Sequence, residues 1–119
     1  MAFITVVPLF KDELVGTSGT AVSPAIDMRW ISNRGVCSLS ISVAATNGVS
    51  GTVGSATYEY LSCATKDGTY ATSGTFSTRG AAVGAFIAPF TPAVTPFMKI
   101  RAMGGTSNPL ILTAEMNVQ

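Results

Sequence analysis

Apolar and polar residues alternate along several short segments of the chain, and turn residues separate these segments. The clearest case covers residues 36–45, where Leu39, Ile41 and Val43 fall on one side and serines fall on the other. A period of two predicts a β-strand with one face in a hydrophobic core. The same alternation predicts strands over residues 25–31, 56–64, 97–103 and 110–118. Turn signals such as Asn47-Gly48 and Asp67-Gly68 lie between them.

Two apolar segments contain prolines and depart from this pattern. Residues 3–10 include Pro8, which has no N–H to donate, so we expect an edge strand or an extended arm there rather than a central strand. The prolines of residues 84–97 predict that this segment crosses the surface or one end of the domain. Residues 14–24 predict a loop with one short strand at most.

The whole pattern predicts six to eight short strands and no α-helix beyond about one turn. Regularly spaced short strands are typical of a sandwich or small barrel. We predict an all-β, antiparallel, jelly-roll-like β-sandwich with an extended N-terminal arm. Residues 1–24 would form the arm and first loop, and residues 25–119 the single domain. The 119 residues suffice for one hydrophobic core.

The composition favours assembly. Hydrophobic residues make up 47% of the chain and charged residues only 11%, whereas an average soluble domain has about 25% charged residues. Interface cores are poor in charge, so we favour a subunit that associates with itself or with other proteins. The alternative is a neutral Ser/Thr/Gly-rich β-domain that is soluble alone.

The charge distribution and the cysteines bear on the cellular setting. The net charge is +1 and the basic residues are scattered, which argues against nucleic acid as a partner. No segment approaches the roughly 20 apolar residues of a membrane span, and the first residues lack the pattern of a signal peptide. We therefore expect synthesis in a cytoplasm. Cys37 and Cys63 would then be thiols; the alternative is a disulfide between neighbouring strands.

The residue inventory argues against an enzyme. The chain has no histidine, so neither a Ser-His-Asp nor a Cys-His arrangement can form. Glu59 and Glu115 could form the carboxylate pair of a glycosidase. We favour cross-strand ion pairs of these acids with Lys99 and Arg101, in which case Glu59→Gln would change stability only slightly. No catalytic residue, cofactor or metal site is predicted.

Aromatic residues suggest one further kind of site. Trp30, Tyr58 and Tyr60 could line a carbohydrate-binding face, because aromatic rings stack on sugar rings. That function requires Tyr58 and Tyr60 to be coplanar and exposed to solvent. The alternative is that these side chains fill the core or form cross-strand pairs.

Three segments carry a resemblance to a known group. They are SGTAVSPAIDMR (residues 18–29), YEYLSCATKDGTY (58–70) and PFMKIRAMGGTSNPLILTAEMNVQ (96–119). They resemble a first strand, an Asp-Gly-Thr hairpin and the last two strands of a loose group of small phage structural proteins. The resemblance covers about residues 17–119. The chain departs from the group in Cys63 and Ala64, where polar strand-end residues are usual, and in its proline-rich segment.

This resemblance implies a virion component. We expect a capsid decoration (cement) protein on the phage head, made in the host bacterial cytoplasm. Its partners would be the major capsid protein and further copies of itself, for example in a trimer. The alternatives are a tail or fibre module that binds a receptor or carbohydrate, and a non-viral assembly subunit of the pilus kind.

A decoration protein needs apolar contact surfaces, and the two proline-containing segments are the candidates. The first could add a strand to the sheet of a neighbour. The alternative for both segments is that they cover the domain's own core. The candidate interface residues are Phe3, Ile4, Val6, Val7, Leu9, Phe10, Phe86, Ile87 and Phe90.

Overall fold

A computed structural model describes residues 4–30, 37–46, 53–91 and 95–118, without the side chains of Trp30 and Ser73. The described chain is nearly all β, with one turn of 3-10 helix at Met28–Trp30 and no α-helix. Its strands are β1 (Thr5–Val15), β2 (Thr20–Val22), β3 (Ile26–Asp27), β4 (Cys37–Ala44), β5 (Ala56–Cys63), β6 (Ala71–Arg79), β7 (Gly84–Phe90), β8 (Phe97–Gly104) and β9 (Leu110–Val118).

The strands form two antiparallel sheets packed face to face. The first sheet has the order β1-β9-β4-β7, and the second has the order β2-β8-β5-β6 with β3 also paired to β8. The chain changes sheet at most connections, and the Asp67-Gly68 turn joins the hairpin of β5 and β6. The predicted antiparallel β-sandwich is confirmed.

The core lies between the sheets and follows the predicted alternation. Leu112 and Met116 of β9 and Ile100 of β8 are completely buried, and the polar residues between them point away from the core. Burying a side chain of this size contributes roughly 1.5–3 kcal/mol. The alternating faces of β4, β8 and β9 therefore account for much of the stability of the sandwich.

The strand predicted over residues 25–31 ends at Asp27, and the prediction was wrong for Met28–Trp30, while residue 31 lies outside the described residues. The Asp27 carboxylate accepts a hydrogen bond from the backbone N–H of Arg29 at 3.1 Å, and it also binds the Arg29 guanidinium. Such local bonds offer the backbone an alternative to the strand ladder. The chain consequently turns into the 3-10 helix.

The proline-rich segment does not simply cross the surface. Its first part is β7, an edge strand that pairs with β4 along its whole length. Pro89 is tolerated there because an edge strand has one side without a ladder partner. Just before it in sequence, β6 forms the edge of the other sheet, and Phe76 on β6 stacks on Phe90 of β7 with ring centroids 4.3 Å apart.

The extended N-terminal segment lies at a sheet edge, where β1 pairs with β9 from Thr5 to Val15. In this position it covers the domain's own core instead of projecting from it. Two irregularities interrupt the register, between Pro8 and Phe10 and between Phe10 and Glu13. β2 likewise pairs within the second sheet, so the described part of residues 1–24 is integrated with the sandwich.

The two cysteines are not joined by a disulfide. Cys37 is buried at the start of β4 in the first sheet, and Cys63 is half-buried at the end of β5 in the second. The strands are not neighbours, so the condition for the bridge is not met. Burial raises the pKa of the Cys37 thiol, which keeps it protonated at neutral pH.

Candidate functional site

Exposed apolar side chains are concentrated at the sheet edges. The large hydrophobic residues with high exposure, between 45% and 64%, all lie on or beside edge strands. Those of the first sheet are Ile4, Val6 and Leu14 at β1, and Val83 and Ile87 at β7; Val22 lies on β2 in the second sheet. Among the described residues, the central strands β4, β5, β8 and β9 carry none of them.

The predicted interface residues divide into two groups in the structure. Ile4, Val6 and Ile87 are exposed, and Val7 and Phe86 are half-buried. Leu9, Phe10 and Phe90 are buried in the protein's own core, which corrects their assignment to an interface. Phe3 lies outside the described residues. Sequence reasoning missed Leu14, Val22 and Val83, because isolated apolar residues beside turns give no periodic signal.

Tyr58 and Tyr60 do not form the exposed aromatic face that carbohydrate binding requires. Tyr58 is 1% exposed and cannot stack on a sugar. Tyr60 is half-buried between Phe90 and Phe76, with ring centroids 5.9 Å and 6.3 Å away. The side chain of Trp30 lies outside the described part of the structure. The two tyrosines therefore belong to an aromatic cluster that closes the side of the sandwich between β6 and β7.

Tyr58 carries a buried hydroxyl that has no hydrogen-bond partner among the described residues. Burial raises the pKa of Tyr58 to about 12, although the positive charge of Arg79 opposes the shift. The Arg79 guanidinium lies 4.0 Å from the centre of the Phe86 ring, and that ring is 6.0 Å from Tyr58. The side chains of Tyr58, Phe86 and Arg79 thus pack together as part of the core and not as a catalytic site.

The two mid-strand glutamates cannot act as a pair, because Glu59 belongs to the second sheet and Glu115 to the first. Glu59 faces Arg101 across the strands and forms an ion pair with it, which confirms the cross-strand pairing predicted for Glu59. The pairing predicted for Glu115 was wrong, because the strand that carries Lys99 and Arg101 belongs to the other sheet. The Glu59 side chain is only 5% exposed, whereas an exposed sheet face was expected. Lys99 instead places its ammonium 4.4 Å from the centre of the Tyr70 ring.

A groove of about 440 Å³ crosses the outer face of the first sheet. Two rows of cross-strand neighbours line it. One row runs from Pro8 through Glu115 and Ser40 to Ile87, and the other joins Thr113, Ser42 and Ala85. Lys11 of β1 also lines the groove. Four further apolar residues also line the groove, so most of its surface is apolar: Phe10, Ile41, Phe86 and Ala114.

Hydrogen bonds inside this surface fix some of its polar groups. Asn117 donates to the Ser40 hydroxyl at 2.8 Å. The Thr113 hydroxyl accepts the backbone N–H of Asp12 at 3.0 Å and donates to its carboxylate at 3.4 Å. Asp12 has a φ of 49°, a left-handed conformation that Asp tolerates better than most residues. Thr113 thereby anchors the irregular part of β1 next to the groove.

Two kinds of site are not found in the described residues. They contain no group of three or more His, Cys, Asp or Glu that could hold a metal ion. They also contain no helix that is long and apolar enough to cross a membrane.

Comparison with known proteins bears on the fold. No protein-family model and no curated protein matches the chain. The chain is similar to a solved structure of the CBM22-1 and GH10 modules of the Clostridium thermocellum N-terminal endo-1,4-β-D-xylanase 10B complexed with xylohexaose, with a TM-score of 0.58 and 8% identity. The match covers 98% of this chain and 24% of that chain. The structural neighbour is a carbohydrate-binding module, and at this identity the likeness shows a shared β-sandwich fold and nothing further.

Proposed function

We propose that the protein is a non-catalytic structural subunit of a phage particle, namely a capsid decoration protein on the head surface. The observation that carries the proposal is the placement of the exposed large apolar side chains at the sheet edges. The resemblance to small phage structural proteins is the reason for proposing a phage particle. No enzymatic step belongs to this function, in keeping with the absence of histidine from the sequence.

Edges of this kind favour association. Proteins usually protect their edge strands with charges, bulges or prolines, since unprotected edges pair with other chains. The segment from residue 80 to residue 98 has no charged residue, and it includes all of β7 with the exposed Ile87. Contact with a partner would remove this apolar surface from water, and each such contact would be repeated by the symmetry of the particle.

β1 would contribute a limited contact that does not extend into continuous strand pairing. It carries Pro8, two register irregularities and the charged residues 11–13, features that prevent open-ended strand pairing. Val6 and Leu14 stay exposed on either side of this protected stretch. We therefore expect β1 to contact a partner mainly through side chains, with the major capsid protein and further copies of this chain as the partners.

The experiment combines a double substitution with a matched control. Val6→Lys/Ile87→Lys places charges on the two edges of the first sheet. Thr75→Lys/Thr78→Lys adds the same charge to exposed positions of β6, where no large apolar side chain is exposed. Light scattering gives the mass in solution, and sedimentation with undecorated capsids gives the binding.

We expect the wild type and the β6 variant to form a discrete oligomer or to sediment with capsids at a fixed stoichiometry. The edge variant should lose both properties while keeping its far-UV circular dichroism. A wild type that stays monomeric and ignores capsids refutes the proposal. Equal behaviour of the two variants refutes the role of the apolar edges of the first sheet.

A second candidate function, carbohydrate binding by a tail or fibre module, is favoured by one observation. The groove of the first sheet is mostly apolar, carries a few polar side chains and has a volume typical of ligand sites. The structurally similar xylanase modules were solved with xylohexaose, which supports the idea by analogy of fold. The site for this function would be the groove rather than Tyr58 and Tyr60.

A further inference from the structure

We infer that β7 pairs antiparallel with the β7 strand of a second copy, so that the first sheets of two protomers join into one continuous sheet. This inference rests on the proposed function and names the partner of one of its contact edges. It places the two-fold axis of the dimer at Ile87, the middle residue of the strand Gly84–Phe90.

β7 is the least protected of the described edge strands. β1 has two register irregularities, and β6 has two more together with Gly74 at a positive φ of 101°. β2 and β3 have only three and two residues. In contrast, β7 pairs with β4 over seven consecutive residues without a register shift, and it carries no charge. Because irregularities, charges and short length keep edges from pairing, β7 is the edge to which a further strand can add.

The two faces of β7 are both apolar. Its inner side chains belong to the core or pack against it, and its outer side chains, Ala85, Ile87 and Pro89, are all exposed. The residues of β4 in register with this outer row are serines. A near-continuous apolar run is typical of a strand that is covered on both faces. The outer row is thus apolar surface that the single chain leaves in water, and a partner strand with the same row would cover part of it.

The backbone of β7 can also bond to a further strand. Because Pro89 has no N–H, its nitrogen fits the edge when it faces away from β4. Ala85 and Ile87 then direct both N–H and C=O the same way. Pairing about Ile87 keeps all seven residues of each strand opposite one another. The Ile87 pair exchanges its bonds and each Ala85 N–H donates to the Pro89 carbonyl of the other copy, about four hydrogen bonds in all.

The absence of charge favours a second copy as the occupant. In a two-fold pair the residue at the axis meets its own equivalent, and like charges directly opposite each other are destabilising. Residues 80–98 contain no charged residue, so no such repulsion arises. Ile87 is 62% exposed in the single chain and would form an apolar cross-strand pair. Pairing with β1 of a second copy would instead bring the charged residues 11–13 against this neutral strand.

Opposite charges at residue 87 test the two-fold pairing. Ile87→Lys alone and Ile87→Glu alone each place like charges opposite each other, whereas a mixture of the two variants places opposite charges there. Val22→Lys and Val22→Glu are the matched controls, because Val22 is an exposed apolar residue of β2 in the other sheet. Light scattering and native mass spectrometry give the mass, and circular dichroism verifies the fold. Amide hydrogen exchange of the wild type follows the N–H groups of Ala85 and Ile87.

We expect a wild-type dimer in which these two N–H groups exchange slowly, and the same mass for the Val22 variants. Each Ile87 variant alone should raise the dissociation constant of the dimer at least about tenfold, and mixing the two should restore the dimer. Restoration by the mixture is the result that a merely apolar contact elsewhere on the surface would not give.

Other results overturn the inference in distinguishable ways. A wild type that is monomeric and still binds undecorated capsids overturns it and leaves the proposed function standing, whereas one that is monomeric and ignores capsids overturns both. A trimer, a dimer with fast exchange at Ala85 and Ile87, or a mixture of folded Ile87 variants that stays monomeric also overturns the pairing of β7 with itself.

Discussion

The ion pair of Glu59 and Arg101 should matter much more for stability than a surface pair would. The Glu59 side chain is 5% exposed and that of Arg101 is 28% exposed. Arg101 also reaches the Thr72 hydroxyl, with its Nη2 atom 3.4 Å from Oγ1. Arg101→Leu removes the cation and leaves a buried carboxylate without its partner. The loss of unfolding free energy caused by Arg101→Leu shows whether the pair behaves as a buried or as a surface ion pair.

The magnitude follows from the burial. Breaking a fully buried pair from one side costs about 3–5 kcal/mol, and an exposed pair contributes about 0–1 kcal/mol. Because Arg101 is partly exposed, we expect Arg101→Leu to cost about 2–4 kcal/mol. The double variant Glu59→Leu/Arg101→Leu removes the stranded charge as well, so it should be more stable than Arg101→Leu alone. Glu59→Gln should then cost more than the slight change expected from an exposed face.

Urea unfolding measures these differences. For a small domain the slope of the unfolding free energy is about 1–3 kcal/mol per molar urea, so the midpoint for Arg101→Leu should fall by roughly 1 M or more. Lys99→Leu is the control, because Lys99 lies on the same strand as Arg101 and its ammonium sits over the Tyr70 ring. We expect this substitution to cost less than about 1 kcal/mol. Equal and small shifts for Arg101→Leu and Lys99→Leu would refute the reasoning.

Two further predictions concern the core and a close backbone contact. Because burial raises the pKa of Tyr58 to about 12 from about 10 in the unfolded chain, the folded protein binds more protons than the unfolded one between these values. Stability should therefore fall as the pH rises from 10 to 12, by about 2–3 kcal/mol, and Tyr58→Phe should remove this fall in urea titrations without destabilising the protein at pH 7. A Cβ at Gly54 would collide with the Asn108 carbonyl oxygen, whereas one at Gly80 would meet open space. Calorimetry should show Gly54→Ala destabilised by about 1–3 kcal/mol and Gly80→Ala nearly unchanged; equal melting temperatures would contradict this contact.

The strands with strict alternation could be predicted from the sequence, and the others could not. β4, β8 and β9 bury every second residue, so their period of two is visible. β6 consists mostly of small polar residues and contains Gly74 at a positive φ of 101°, which hides its period. β7 could not be recognised because it contains Pro89, which is tolerated only at an edge, and the sequence does not show which strands lie at an edge.

The candidate sites depended on strand pairing, which the sequence does not contain. Tyr58 and Tyr60 were placed on one face of β5, but only the structure identifies that face as the inner one. The groove brings Lys11 and Glu115 together from opposite ends of the chain. In contrast, the pairing of Glu59 with Arg101 was predictable, because mid-strand residues of opposite charge on a sheet favour each other.

The central claim is that the sheet edges are contact surfaces, and the most direct test is the solution mass of the wild type beside the Val6→Lys/Ile87→Lys variant. The claim predicts a discrete oligomer for the wild type, or a monomer that adds stoichiometrically to undecorated capsids, and neither behaviour for the folded variant. A wild type that remains monomeric at every concentration and does not bind capsids would contradict it.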